Sequence, residues 1–291
     1  DLTDIFAVQD EVTRHIVAAL KVKLAPAEAD HIAEAPTRNL EAHDLVLRAR
    51  DFLTGRVTDR GSFEKVVVLF TRAIELDANY GEAYAGLAMA QVLNYQNRWT
   101  DAANPLEEAS RLAARAIATA AHSPYAHYAA AVAALWTRDL DRARQEAEIA
   151  LALSPNFANG QGVRGLVEVY LGNPLAAVPF LERAIRLDPA FAQQELHFLG
   201  SAYLLAGRYE SAEAAFRERI RLVPNTDLSR GLLICALGHL DRSEEARDVR
   251  AELKQVNPKY SIAEHLARLP FRNAADADRL KQGFAKAGIA D

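Results

Sequence analysis

Four prolines, Pro155, Pro189, Pro224 and Pro258, stand 34, 35 and 34 residues apart. Each closes a similar phrase. Three are clear: Ala150-Leu151-Ala152-Leu153-Ser154-Pro155, Ala184-Ile185-Arg186-Leu187-Asp188-Pro189 and Ile220-Arg221-Leu222-Val223-Pro224. Val256-Asn257-Pro258 is a weaker echo, and Ala73-Ile74-Glu75-Leu76-Asp77-Ala78 repeats the phrase without its proline. A fixed period of this length restricts the chain to a stack of similar units, each burying an apolar face that it cannot bury alone. A period of about 34 residues has room for two short helices and two turns. Proline cannot continue a helix and turns the preceding residue away from helical angles, so it marks where the second helix stops. Gly172 and Gly207 mark the tight turn between the two helices.

The clearest unit runs over residues 193–226 and places Leu196, Leu199-Gly200, Tyr203, Ala212, Phe216 and Pro224 in order. This order resembles the tetratricopeptide repeat. The small Gly200 lets the two helices of a pair approach, and Leu199, Tyr203 and Phe216 are expected to fill the groove around it. The unit at 158–192 keeps Gly165, Gly172, Ala177, Leu181, Ala184 and Pro189; that at 227–260 keeps Leu233, Leu237, Ala246 and Pro258. The unit near 123–157 keeps Ala143, Ala147, Ala150 and Pro155, with Pro124 opening its first helix, a favoured place for proline. The unit at 81–122 begins with Tyr84, Leu87 and Ala88 and carries an insertion around Asn97–Pro105. A divergent first unit spans 40–80, with Phe70 and Ala73 in place and a long linker at Gly55–Gly61. The resemblance implies an all-α, right-handed superhelical solenoid of about six helix pairs over residues 37–260.

The ends differ, as the terminal units of a solenoid must. Ser261 with Glu264 reads as a capping box that starts a short helix. A final helix at 274–287 would present Ala277, Leu280, Phe284 and Ala287 on one face, so residues 261–291 are expected to cap the array. Residues 4–24 space Ile5, Val8, Val12, Ile16, Leu20 and Leu24 as a helix does; with the connector to residue 36 they form an N-terminal segment.

A narrower resemblance rests on the opening Asp1-Leu2-Thr3-Asp4-Ile5-Phe6-Ala7-Val8-Gln9-Asp10-Glu11-Val12 and on Ala42-His43-Asp44-Leu45-Val46-Leu47-Arg48-Ala49-Arg50. It continues through Ala83-Tyr84-Ala85-Gly86-Leu87-Ala88 to the closing Gly283-Phe284-Ala285-Lys286-Ala287-Gly288. These phrases are similar to the carboxy-terminal repeat region of bacterial class III adenylate/guanylate cyclase-like proteins. The resemblance implies a catalytic or regulatory domain upstream. A first residue of Asp rather than Met fits a piece of a longer protein. No cyclase catalytic residue has a counterpart in these residues.

Composition narrows the function. The net charge of −5 and pI near 6.0 lack the basic excess with which proteins displace counterions from nucleic acid. Cys235 is the single cysteine, so no internal disulfide can form, which fits a reducing compartment. No apolar run approaches the roughly 18 residues that cross a bilayer, and the start has no signal peptide. The expected location is the cytoplasm.

Motifs that could carry chemistry have plainer readings. Gly160-Gln161-Gly162-Val163-Arg164-Gly165 has the spacing of a dinucleotide loop, but that loop needs a preceding strand, and here a helix precedes it. Small residues on a packing face are the expectation. His122 and His127 flank Pro124 without a third ligand, and Cys235 sits among leucines as a small buried residue. Arg217, Arg219 and Arg221 alternate with Glu210, Glu213 and Glu218, as on a solvated helix face. No catalytic residue, cofactor or metal site is expected.

In tetratricopeptide repeats the first helix of each pair lines the concave surface, and the resemblance carries its inward positions onto this chain. They are led by Met89 in the second unit and by Tyr125, Tyr128, Val132 and Trp136 in the third. Leu166 and Tyr170 follow in the fourth, and His197 and Leu204 in the fifth. The face is apolar and aromatic, as binding surfaces are. The Lys and Asn of the family's clamp for acidic chaperone tails are absent, which excludes that partner. The positions fit a groove open to a protein or peptide, or one filled by the 4–24 helix or the terminal helix. A homodimerisation scaffold for the parent protein is an alternative, and a small-molecule sensor in the groove a remoter one.

Overall fold

The computed structural model describes residues 36–53 and 59–289, together with Val8, Glu11, Val12 and His15. Those four residues are helical and exposed. The rest of the helix expected at 4–24, and residues 54–58 of the linker, lie outside the described residues. Among the described residues there are fourteen α-helices of four residues or more, and no strand.

The chain divides into two compact units, residues 1–160 and 161–291. The first holds three helix pairs: α1 (Leu40–Leu53) with α2 (Arg60–Leu76), α3 (Gly81–Asn97) with α4 (Pro105–Thr119), and α5 (Pro124–Trp136) with α6 (Leu140–Leu153). The second holds α7 (Ala158–Tyr170, whose first turn falls in the first unit) with α8 (Pro174–Leu187), then α9 (Gln193–Leu205) with α10 (Tyr209–Leu222), and α11 (Leu228–His239) with α12 (Ser243–Val256). Two further helices follow, α13 (Ile262–Arg268) and α14 (Ala274–Lys286). Six pairs result, as the repeat spacing predicts.

The two helices of a pair are built differently. Second helices bury one stripe, such as Ala109, Leu112, Ala113 and Ala116 in α4 or Ala246, Val249 and Leu253 in α12, and turn their charges outward. Two first helices are apolar on nearly every side: every residue of α5 from Pro124 to Leu135 except Tyr128 is buried, and so is α11 from Ser229 to Gly238. A helix of that kind must be covered all round. The cover is close because small residues stand where helices cross. A Cβ on Gly200 would lie 2.6 Å from Phe216 Cε1, and one on Gly165 would lie 2.7 Å from Leu181 Cγ. In the first unit Gly86 has Phe70 in the same role. Phe70 and Phe216 are wholly buried, a contribution of about 1.5–3 kcal/mol each.

The turn between the two helices reverses direction through a left-handed residue. Arg138, Gly172, Gly207 and Asp241 have φ of 66°, 87°, 75° and 57°. They recur at the same intervals as the prolines. The insertion after α3 is short and pinned: the side chain of buried Asn94 donates to Thr100 Oγ1 at 2.8 Å, accepts from Thr100 N at 3.1 Å, and Trp99 packs on Phe63. The Ser261 cap is present, its Oγ accepting from Glu264 N at 3.1 Å.

Gly200→Ala is expected to destabilise the chain by about 1–3 kcal/mol, because Phe216 is enclosed and cannot swing away. Denaturant unfolding measures the loss. Adding Phe216→Leu should restore part of it, and a double variant no more stable than the single one would refute this account of the crossing.

Candidate functional site

The positions predicted to line a concave face meet different fates in the two units. In the second unit the face is covered by the chain itself. After α13 the segment Leu269-Pro270-Phe271-Arg272 runs back over α11, α9 and α7. The Phe271 ring meets Tyr170 edge-on at 5.2 Å, and Arg272 N donates to the Tyr170 carbonyl at 2.9 Å. Leu269, Phe271 and Leu280 close over Tyr170, His197, Leu204 and Leu232, leaving a cavity of about 20 Å³, the room of a single water. Of the four residues expected to meet a partner there, Leu166, Tyr170 and Leu204 are buried and His197 is half-buried. Of the two arrangements the sequence left possible, an open groove or one filled by the chain itself, this unit has the filled one. The terminal segment, the alternative occupant read from sequence, supplies the cover.

Helix α14 completes it. Gly283 meets the Cys235 carbonyl and Sγ, Gly238 meets the Gly283 carbonyl, and Cys235 Sγ donates to the Leu280 carbonyl at 3.3 Å. Burial pushes the Cys235 thiol above its ordinary range, so it packs and does not react. The expected face of this helix, Leu280, Phe284 and Ala287, is buried, with Ala277 half-buried. Its N-terminal end lies at Gly172, its middle at Gly207, and near its C-terminal end the Lys286 carbonyl accepts from Ser243 Oγ at 3.3 Å.

Two histidines sit inside this closure. His197 Nδ1 is 2.9 Å from Ser229 Oγ, and His265 Nδ1 is 2.5 Å from Tyr260 Oη. Burial holds His197 down to about 3, helped by the charges of His265 and Arg219. Burial holds His265 down to about 4, helped by Arg268 and opposed by Asp227. Nearby, burial raises Glu195 to about 7, with Asp188 adding to the shift and Arg219 opposing it.

In the first unit the predicted residues form an aromatic series. Tyr125 and Tyr128 of α5 lie 5.8 Å apart, and Tyr128 meets Phe157 edge-on at 5.7 Å. Trp136, at the end of α5, lies 6.2 Å from Tyr95 of α3. Tyr128, Trp136, Tyr95 and Met89 are half-exposed, whereas Tyr125 and Val132 are buried. Arg50 of α1 crosses to this face: its guanidinium lies 4.4 Å over the Tyr125 ring and Nη1 donates to Glu82 at 3.1 Å. Arg50, Glu82, Tyr95 and Phe157 were missed by the sequence reading. Arg50 belongs to the divergent first repeat, where the register could not be transferred, and Phe157 stands in a turn.

The other motifs take structural roles. The glycines at 160, 162 and 165 belong to α7 and meet Leu151, Glu195 and Leu181. His127 is buried between Glu146, 2.7 Å from Nδ1, and the Ala121 carbonyl, 2.9 Å from Nε2. Burial opposes its charge, but these partners outweigh burial and raise its pKa. No group of three His, Cys, Asp or Glu among the described residues could hold a metal. Arg217 and Arg221 form the expected surface pairs with Glu213 and Glu218. Arg219, two residues round the helix from each, turns inward instead, and its Nε and Nη1 are buried without an acceptor. A hollow of about 730 Å³ between α13 and α14 is lined by Leu266, Phe284, Ile289 and several alanines, with Lys281 the one charge. No described helix is long and apolar enough to cross a membrane.

Comparison with known proteins agrees with this geometry. Residues 196–226 match the tetratricopeptide repeat family. The chain is 39% identical over 143 residues to a protein of Rhizobium meliloti (strain 1021) named Putative adenylate cyclase 3. That match takes in 49% of this chain and 24% of the relative, so the chain spans about a quarter of that protein. Among solved structures, the Cut9 and Hcn1 hetero-tetramer of the APC/C superposes with a TM-score of 0.59 at 14% identity, over 84% of this chain and 46% of that one. TTC0263, a thermophilic TPR protein of Thermus thermophilus, gives 0.54 at 19% identity, over 67% and 98%. These likenesses establish an all-α tetratricopeptide-type repeat fold.

His197 and His265 predict a pH response in the second unit. Both are neutral when folded and have an ordinary unfolded pKa of about 6.5. The unfolded state therefore binds more protons between pH 6.5 and their folded values of about 4 and 3. Their contribution to stability is complete above pH 6.5 and is lost as pH falls through that window. Amide exchange in residues 262–286 is expected to quicken from pH 7 to pH 4.5, after correction for intrinsic rates. His265→Gln should reduce the response, and an equal response in the variant would exclude His265 as a source.

Proposed function

We propose that the chain is a non-catalytic protein-interaction module that receives a polypeptide on the first unit's aromatic face. The observation that carries this reading is the contrast between the two units. In the second, the inward face is sealed by Leu269, Phe271 and Leu280. In the first, Tyr95, Tyr128 and Trp136 remain half-exposed on neighbouring helices. Aromatic side chains with rigid packing neighbours are the residues that most often anchor a bound partner. The repeat match supports the same reading, since stacked repeats offer extended surfaces for binding.

The likeness to a cyclase-named relative supports a finer proposal: the module serves as a regulatory arm in a bacterial signalling protein, beside a nucleotide cyclase-like domain. Residues 37–260 would form its repeat array and residues 261–291 the cap that closes it. Catalysis by this segment itself is disfavoured by its chemistry. His197 and His265 lie under packed side chains, and the open hollow between α13 and α14 has a single charge.

The test is selection of binding peptides from a random displayed library on the full chain, followed by affinity measurement. The double variant Tyr128→Ala and Trp136→Ala is expected to weaken the selected peptides by about tenfold or more. Phe271→Ala, in the sealed unit, should leave them within about twofold of the parent affinity. Peptides indifferent to Tyr128 and Trp136 would overturn the proposal.

A further inference from the structure

We propose that the partner's segment carries an Asp or Glu side chain that binds Arg50, set apart from an aromatic or large apolar side chain that rests against Trp136 and Tyr95. This rests on the reading of the first unit's aromatic face as the open one. Arg50 is fixed on two sides. Its Cζ lies over the Tyr125 ring, 4.4 Å from the centroid, and Nη1 donates to Glu82 at 3.1 Å. The planar guanidinium has five donors in a rigid fork. Its remaining nitrogens have no acceptor among the described residues.

The pair is not symmetrical toward solvent. The Arg50 side chain is 36% exposed and the Glu82 side chain 15%. An incoming segment therefore meets the cation before the anion. The surrounding groups sharpen this. Tyr80 and Tyr125 stay protonated, since burial raises both. Burial likewise lowers the pKa of His43, with Glu82 and Asp44 opposing and Arg50 assisting, so that ring adds little charge at neutral pH. The guanidinium is held above its ordinary pKa: burial alone would lower it, but Tyr125, Glu82 and Tyr80 outweigh burial. It stays charged, and its rigid seat removes most of the ordering cost that a free arginine meets on binding.

Helix α5 sets the spacing. Tyr125, under Arg50, and Trp136 are eleven residues apart on one helix, about 16 Å along its axis at 1.5 Å per residue. An extended segment covers that distance in about five residues. The acidic and aromatic side chains of an extended partner should therefore stand about five positions apart. A side chain within the segment is the committed source of the carboxylate, and amidated carboxy termini keep a terminal carboxylate from standing in for it.

The experiment uses the full chain and a displayed library whose random segment is flanked on both sides by linker. Selected peptides are then synthesised with amidated carboxy termini. Among peptides that need Tyr128 and Trp136, an Asp or Glu about five positions from an aromatic residue is expected. Its change to Asn or Gln should cost about tenfold in affinity or more. Arg50→Gln should cost the same against the parent peptide and nothing further against the amide peptide. The peptide-side change needs no altered protein, so it decides the matter even if Arg50→Gln folds poorly. Peptides that need Tyr128 and Trp136 but tolerate loss of the acid would overturn this inference and leave the binding face standing. Binding only by peptides with a free carboxy terminus would also overturn it. Peptides indifferent to the two aromatic residues would remove both.

Discussion

Helices α5 and α11 have almost no side that tolerates water, and the packing around them answers to that. Within a pair, the second helix offers an alanine-rich stripe with one large residue, Phe216 or Leu181, that fills the space opened by a glycine opposite. Between pairs, the next first helix does the same work. Helix α11 is buried along its length and takes its cover from α14, at a crossing where Gly238 and Gly283 bring the two backbones together. The terminal segment is thus the partner that the apolar face of α11 requires.

The same constraint separates the two units. Aliphatic and aromatic positions on α7 and α9 are sealed by Leu269 and Phe271, with space for one water left beside His197 and His265. On α3 and α5, Tyr95, Tyr128 and Trp136 stand half-exposed. A tyrosine or tryptophan can stand half-exposed because its polar edge remains hydrated while its ring packs on a neighbour. The pairs Tyr95–Trp136 and Tyr128–Phe157 stiffen that surface. Arg50 adds a fixed charge at one end.

Much of the fold was legible because it is local and repeated. Proline and glycine at a constant interval report the ends and turns of helices directly. Gly200 with Phe216 was readable because the pair recurs at a fixed spacing within one unit. The covering segment was less so: Leu269-Pro270-Phe271-Arg272 has no periodicity, and its contacts with Tyr170 lie about a hundred residues away in sequence. The inward register could be carried onto α3, α5, α7 and α9, but register gives direction and not exposure, so Leu166 and Leu204 read the same as Met89. Arg50 was invisible for another reason. Its partners Glu82 and Tyr125 lie in two other repeats, and nothing in the local sequence marks a charge that crosses between them. Arg219 was misread because alternating charges suggest a solvated face, although a helix sends alternate residues to opposite sides.

Helix α14 reaches from the turn at Gly172, past that at Gly207, to the turn before Ser243. Thirteen residues of helix measure about 20 Å, which equals two steps between neighbouring first helices packed about 10 Å apart. The strut thereby acts as a gauge that counts three hairpins and no other number. Duplication of a whole unit, the usual way such arrays lengthen, would leave it too short inside the second unit. Growth by that route would have to fall outside the three hairpins that α14 spans.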